Sequence, residues 1–405
     1  MDQPNCDPPQ IISGQKLTAK VKIGMIQGTV QTDSGNHNVL KVELDMKTGT
    51  FDISNIDLSD DEKVEFNMAL KAYFVNNPVV FLINQLDLTQ VPTLNDLKPN
   101  HFCFKPLKTR SGNEMLQLFI QTDDRKLLDY SQTSLNNVTE PIPLGEECSL
   151  MVRSGLFFNS VLPQSLDKNN WKMEGINPGN VNKAWTAKFT QANVSGTVDL
   201  RKLDKELKRP YGGGTSFIDT FTHYIPGGNN VTWSLAGMIM QATNRGVMTL
   251  SGSQKNSMQY IRRICTEYSP CYFKCTPTCS EQTVSTDVSV GVSANLPLGV
   301  GGSGREQTVE IKTEAKAVTI TGEISGGGPC GSDDLQAQLN QQIQSQVPEQ
   351  IKNQLNVSFK SISVFALKNL LFPSNDYIKF SSAYVPGDLL IVGKFTDVAD
   401  LTEIK

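Results

Sequence analysis

The chain has little of what most catalytic and membrane-embedded proteins display. Only three His are present in 405 residues. P-loop, HExxH and G-x-S-x-G motifs are all missing, so the common phosphate, zinc-protease and serine-hydrolase signatures are excluded. No apolar run reaches the roughly 18 residues that a membrane-crossing helix needs. Basic residues are not in excess: 37 Lys and Arg stand against 41 Asp and Glu, a net charge of −4. Nucleic-acid binders driven by bulk charge carry a clear Lys/Arg surplus, so that class is excluded. The opening MDQPNCDPPQIISGQ lacks a basic start and an apolar stretch, so no signal peptide is expected. Localisation stays open between the cytoplasm and release by a non-classical route.

What is present is alternation. Leu17, Ala19, Val21, Ile23 and Met25 fall on one side, with Lys20 and Lys22 on the other. Leu40, Val42, Leu44 and Met46 repeat the pattern, as do Val288, Val290, Val292 and Ala294. A period of two marks antiparallel strands with one buried and one wet face. Ser59-Asp60-Asp61-Glu62 reads as a capping box opening a helix that ends at Asn76-Asn77-Pro78. Near the C-terminus, Leu335, Leu339, Ile343, Val347, Ile351 and Leu355 recur every fourth residue. Each step overshoots a 3.6-residue turn by roughly 40°, so the stripe winds around a helix of about 333–356. A winding stripe suits a sheet that wraps the helix, and it predicts an α+β fold with long curled antiparallel sheets around that C-terminal helix. Residues 1–150 form a β-rich part with one helix and 151–405 a second part, the two joined in one elongated unit.

Three further features bear on chemistry. Arg201, Lys205, Lys208 and Arg209 in RKLDKELKR fall near one face if the segment is helical, a face suited to anionic lipid headgroups or to plain solvation. Cys265, Cys271, Cys275 and Cys279 lie close together, open to disulfides, thiols or a zinc site, with a structural role in each case. Gly299-x-Gly301-x-x-Gly304 matches a dinucleotide fingerprint as text, but a strand pattern follows it where a helix is required. His101 and Cys103, two apart on a strand, read as packing residues rather than a catalytic pair.

Three segments carry a resemblance: ALKAYFVNNPVVFLINQLDL with LKPNHFCFKPL, MVRSGLFFNSVLPQSLDKNNWKMEGINPGNV, and SFKSISVFALKNLLFPSNDYIKFSSAYVPGDLLIVGKF. They resemble the forty-seven-kilodalton accessory protein family encoded beside botulinum neurotoxins, and the related OrfX proteins. The chain differs from that family at its start and in the Cys-rich segment. The resemblance implies the tubular lipid-binding (TULIP) fold, non-enzymatic binding of anionic lipids or phosphoinositides, and toxin-complex proteins as partners, with no cofactor and no metal. Under it, the stripe from Leu335 to Leu355 would line an apolar groove. The alternative is an interaction protein with a filled core and no lipid.

Overall fold

The computed structural model describes residues 17–20, 27–33, 36–45, 50–53, 59–77, 80–89, 94–109, 112–123, 142–167, 170–179, 184–197, 204–225, 230–244, 246–269, 276–321, 333–355, 359–371, 377–385 and 387–396. These residues are mostly antiparallel β-sheet. The pair β1 (Leu17–Lys20) and β4 (Thr50–Ile53) stands by itself. A five-stranded sheet has the order β5 (Val80–Asp87), β3 (Asn36–Asp45), β2 (Gln27–Asp33), β6 (His101–Lys108), β7 (Glu114–Gln121). Helix α1 (Asp60–Asn76) connects β4 to β5. Its capping box is made as the sequence predicts: the Ser59 hydroxyl accepts from the Glu62 amide, and the Glu62 carboxylate accepts from the Ser59 amide at 2.8 Å.

The largest sheet has ten strands. Its path runs β20 (Ile362–Ser363), β18 (Thr308–Ile311), β17 (Thr278–Gly301), β16 (Val247–Ser269), β15 (Ile239–Asn244), β10 (Thr186–Gln191), β9 (Lys172–Ile176). The strands β13 (Thr215–Tyr224) and β19 (Glu314–Thr321) join its flanks, and β12 (Asp204–Gly212) pairs with β13 at the edge. A two-stranded pair, β11 (Asn193–Thr197) with β14 (Asn230–Ser234), and a three-stranded sheet of β21 (Ile378–Tyr384), β22 (Leu389–Phe395) and β8 (Cys148–Val152) complete the β-structure. Short turns α2 (Ser154–Leu156) and α3 (Leu162–Gln164) flank one π-helical turn. Helix α4 covers Asp333–Leu355, and α5 covers Phe365–Lys368.

The β16–β17 hairpin is the spine. Its ladder runs in one register from Val247↔Pro297 to Thr266↔Thr278. At 23 residues, β16 spans roughly 75 Å. Val288, Val290, Val292, Ala294 and Leu296 alternate into the core, where they meet Met248, Leu250 and Trp233. A smaller core under the five-stranded sheet joins Val42, Leu86 and Phe102 to Ala366 and Leu370. Asn84 ties that sheet to the segment after α5, donating to the Asn369 carbonyl at 2.8 Å.

The α+β expectation, with sheets wrapped around a C-terminal helix, is corrected to a mostly-β fold. The sheets do not take α4 as their axis: its main contacts are with β19 and β11. The reason lies in the amount of alternating sequence. Strand pairing across β12 to β19 fills the core from the sheets' own faces, and α4 covers one part of it. No helix among the described residues is long and apolar enough to cross a membrane.

Candidate functional site

Within the four-step stripe, Ile343, Val347, Ile351 and Leu355 are buried in the main core. Leu335 and Leu339 lie on the α4 backbone, and their side chains fall outside the described residues. The seat of α4 on β11 is close. A Cβ at Gly196 would come 2.6 Å from Val347 Cγ1, so only glycine fits there. On either side of Gly196, two glutamines of α4 imitate a neighbouring strand. The Gln350 carbonyl accepts from the Thr197 amide at 2.7 Å, and its NH₂ donates to the Thr197 carbonyl at 2.9 Å. Gln354 makes the same pair of bonds with Ser195. The open edge of β11 is thereby satisfied by side chains.

The basic segment is a strand, not the helix its charges predict. Arg201 lies outside the described residues, and β12 begins at Asp204. On a strand, Lys205, Leu207 and Arg209 share the inner face and Glu206 and Lys208 the outer one, so the expected single basic face does not form. The i, i+4 charge spacing fits helix and strand alike, and pairing with β13 decides between them. Pro210 is tolerated because β12 is an edge.

Arg209 is committed to a partner. Its guanidinium grips the Asp219 carboxylate, which also accepts from Thr266 Oγ1 at 2.6 Å. Asp219 is buried, and the Arg209 hydrogen bond holds its carboxyl below the ordinary value of 3.8. A lowered folded value means that the stabilisation is present above 3.8 and is lost as pH falls through the folded value. We expect amide exchange in β12 and β13 to quicken selectively at that step in an acid titration. Asp219→Asn should remove the step and weaken the lock at neutral pH by about 2 kcal/mol.

Beyond this polar lock, at the far end of the same inner face, lies a cluster of three rings. Tyr211 meets Phe217 at 4.9 Å between centroids, and Phe217 meets Tyr268 at 5.6 Å. All are edge-to-face, and the Arg209 guanidinium lies over Phe217 at 5.8 Å. Tyr211 is 66% exposed and Tyr268 is exposed as well. Gly213 and Gly214, with φ of 58° and 81°, turn the chain directly after Tyr211. Farther in, Phe221 is core, and Tyr224 donates to Glu281 at 3.1 Å on the outer face. Around the Gly-rich turn the sequence shows Tyr211, Phe217, Phe221 and Tyr224, with nothing local to separate surface rings from core. Tyr268 could be added only once the β13–β16 register placed it opposite Phe217.

Cys265 and Cys279 form a disulfide between directly opposed residues of β16 and β17. Two of the four grouped Cys are thereby joined to each other, and Cys271 and Cys275 lie outside the described residues. Among the described residues, no group of three or more His, Cys, Asp or Glu is placed to hold a metal. The Gly299–Gly304 segment leads from β17 through a 3₁₀ turn into β18, so no helix N-terminus faces it. His223 is buried against the Tyr260 ring. His101 and Cys103 do share a face of β6, but burial pushes the Cys103 thiol up to about 11. Cys148 is likewise raised to about 11. Thiols so raised are poor nucleophiles. At pH 8 we expect both to alkylate on the order of 100-fold more slowly in the folded protein than after denaturation.

No protein-family model matches the chain, and no characterised protein matches it in sequence. Among solved structures, it is similar to a crystal structure of a lipopolysaccharide binding protein, at 9% identity and a TM-score of 0.19, over 94% of this chain and 87% of that one. At that TM-score, fold and function rest on the residues described above.

Proposed function

We propose that this chain is a non-enzymatic lipid-surface-binding protein that docks through the ring cluster Tyr211, Phe217 and Tyr268. The observation that carries this reading is a ring group in which exposed Tyr211 and Tyr268 flank half-buried Phe217 at the end of the sheet, separated from the core by the Arg209–Asp219–Thr266 lock. Tyr suits a membrane–water interface because its ring is apolar and its hydroxyl is wet. Partial burial of three rings supplies roughly 2–4 kcal/mol, enough for reversible docking. The α4 stripe offers less to a lipid, since protein already covers Ile343, Val347, Ile351 and Leu355.

Charge plays the smaller part. Among the described residues, 204–212, 215–224, 261–269 and 278–284 carry five basic and five acidic residues, so the described part of the tip is balanced. Liposome flotation tests this reading. Binding to neutral and anionic vesicles alike, weakly dependent on salt, is the expected result. Binding confined to anionic or phosphoinositide vesicles and abolished by salt would move the contact to a basic surface elsewhere. No flotation on any vesicle would overturn the reading.

The sequence resemblance extends the proposal to an accessory role beside a toxin, with toxin-complex proteins as partners; the anionic-lipid or phosphoinositide preference it also implies is the competing outcome of the flotation test. Co-purification of a toxin component with the chain tests that extension. A second reading, an interaction protein without lipid, draws on α1. This helix buries none of its residues and exposes Val64, Met68, Tyr73 and Val75. A helix apolar on several faces fits a protein groove better than a membrane plane.

A further inference from the structure

We propose that the Cys265–Cys279 bridge is a thiol–disulfide exchange site, with a dithiol as its partner, and that its redox state sets the order of the ring cluster. The exchange chemistry stands apart from the lipid reading, and only its consequence for docking rests on that reading.

The placement carries the argument. The bridge links the next-to-last pair of the β16–β17 ladder, with only Thr266↔Thr278 beyond it. The rest of that ladder is held by a core running from Met248 to Tyr260, so the bridge is the cross-link at the turn end, where β16 is otherwise held by its pairing with β13 from Tyr224↔Ile261 to Ser216↔Ser269. That end bears what the tip needs. Thr266, the next residue, hydrogen-bonds Asp219, and Tyr268, three residues on, completes the rings. The cross-link spans a sequence separation of 14, which corresponds to on the order of 100-fold in the local closing equilibrium.

The bridge also lies where a reductant reaches it. Alternation places it on the outer face, away from the rings, and Cys279 is exposed. On the same face, Arg263 Nη2 lies 3.5 Å from Cys279 Sγ. A guanidinium there stabilises a departing thiolate and speeds exchange. A thiolate of the partner dithiol attacks Cys265 Sγ, forming a mixed disulfide and expelling the Cys279 thiolate beside Arg263. The partner's second thiolate then attacks its own sulfur in the mixed disulfide and releases the Cys265 thiolate. The bridge gains two electrons, the partner becomes a disulfide, and the two protons lost by the partner's thiols end on Cys265 and Cys279.

The test uses dithiothreitol as the dithiol, on the full chain. Timed trapping with N-ethylmaleimide and peptide mass spectrometry reads each cysteine, and hydrogen exchange reads the tip without vesicles. Cys265 and Cys279 should become labelled together, and amides of 262–269 and 278–282 should then exchange about 10–100-fold faster while β21 and β22 stay unchanged. The double variant Cys265→Ser with Cys279→Ser should match the reduced protein. Arg263→Gln should slow reduction about threefold or more, and an unchanged rate would overturn the role given to Arg263. Tip exchange that ignores reduction of this pair would overturn the coupling. If exchange quickens but flotation is unchanged, the exchange site stands and the lipid reading falls.

Discussion

Ile351→Ala lowers the unfolding free energy by about 2–5 kcal/mol in urea titration, one of the two largest effects expected for a single region of the chain. Ile351 is fully buried, on the face of α4 that meets the main core. Deleting its side chain loses transfer energy and leaves a cavity that the sheet, pinned by its ladders, fills poorly. Gly196→Val should be comparably damaging for the opposite reason, since a side chain there collides with Val347. The joint change Gln350→Ala and Gln354→Ala is expected to cost less, about 1–3 kcal/mol, because water can reach Ser195 and Thr197. Val64→Ala on α1 should fall within about 0.5 kcal/mol. The contrast has a functional edge. Were Ile351 the lining of an open lipid groove, its truncation would barely change stability and would change lipid affinity instead.

Replacing Tyr211, Phe217 and Tyr268 together by Ser reduces vesicle partitioning by at least about tenfold while leaving unfolding nearly unchanged. The size follows from the roughly 2–4 kcal/mol that the three rings supply, at 1.4 kcal/mol per tenfold. Stability is spared because the rings lie outside the core, beyond the Arg209–Asp219 lock. Lys208→Glu on the outer face serves as the charge control and should change partitioning by less than about threefold. Equal losses in the ring variant and the charge variant would assign the contact to electrostatics.

The sequence makes some of this visible and hides the rest for physical reasons. Strong alternation, as in Val288 to Ala294, identifies a strand because every second residue must enter the core. The capping box at Ser59 and Glu62 is equally legible, being a local hydrogen-bond pattern. Residues 204–212 mislead because Lys205, Leu207 and Arg209 satisfy a period of two as well as near-helical spacing. Only the partner strand resolves the choice. The balance of helix and sheet is similarly a property of pairing at a distance, which is why the α+β expectation gives way to a mostly-β fold. The strand-like roles of Gln350 and Gln354 are invisible in a Gln-rich helix until β11 lies beside it. The ring cluster joins residues 57 positions apart, Tyr211 and Tyr268, so no local window contains it.

Hydrogen exchange of the full chain with and without neutral vesicles locates the docking surface. Docking through the rings gives new protection in residues 209–217 and 266–269, with α4 and the main core unaffected. Protection confined to α1, or no protection anywhere while the vesicles float the protein, would contradict docking through the ring cluster.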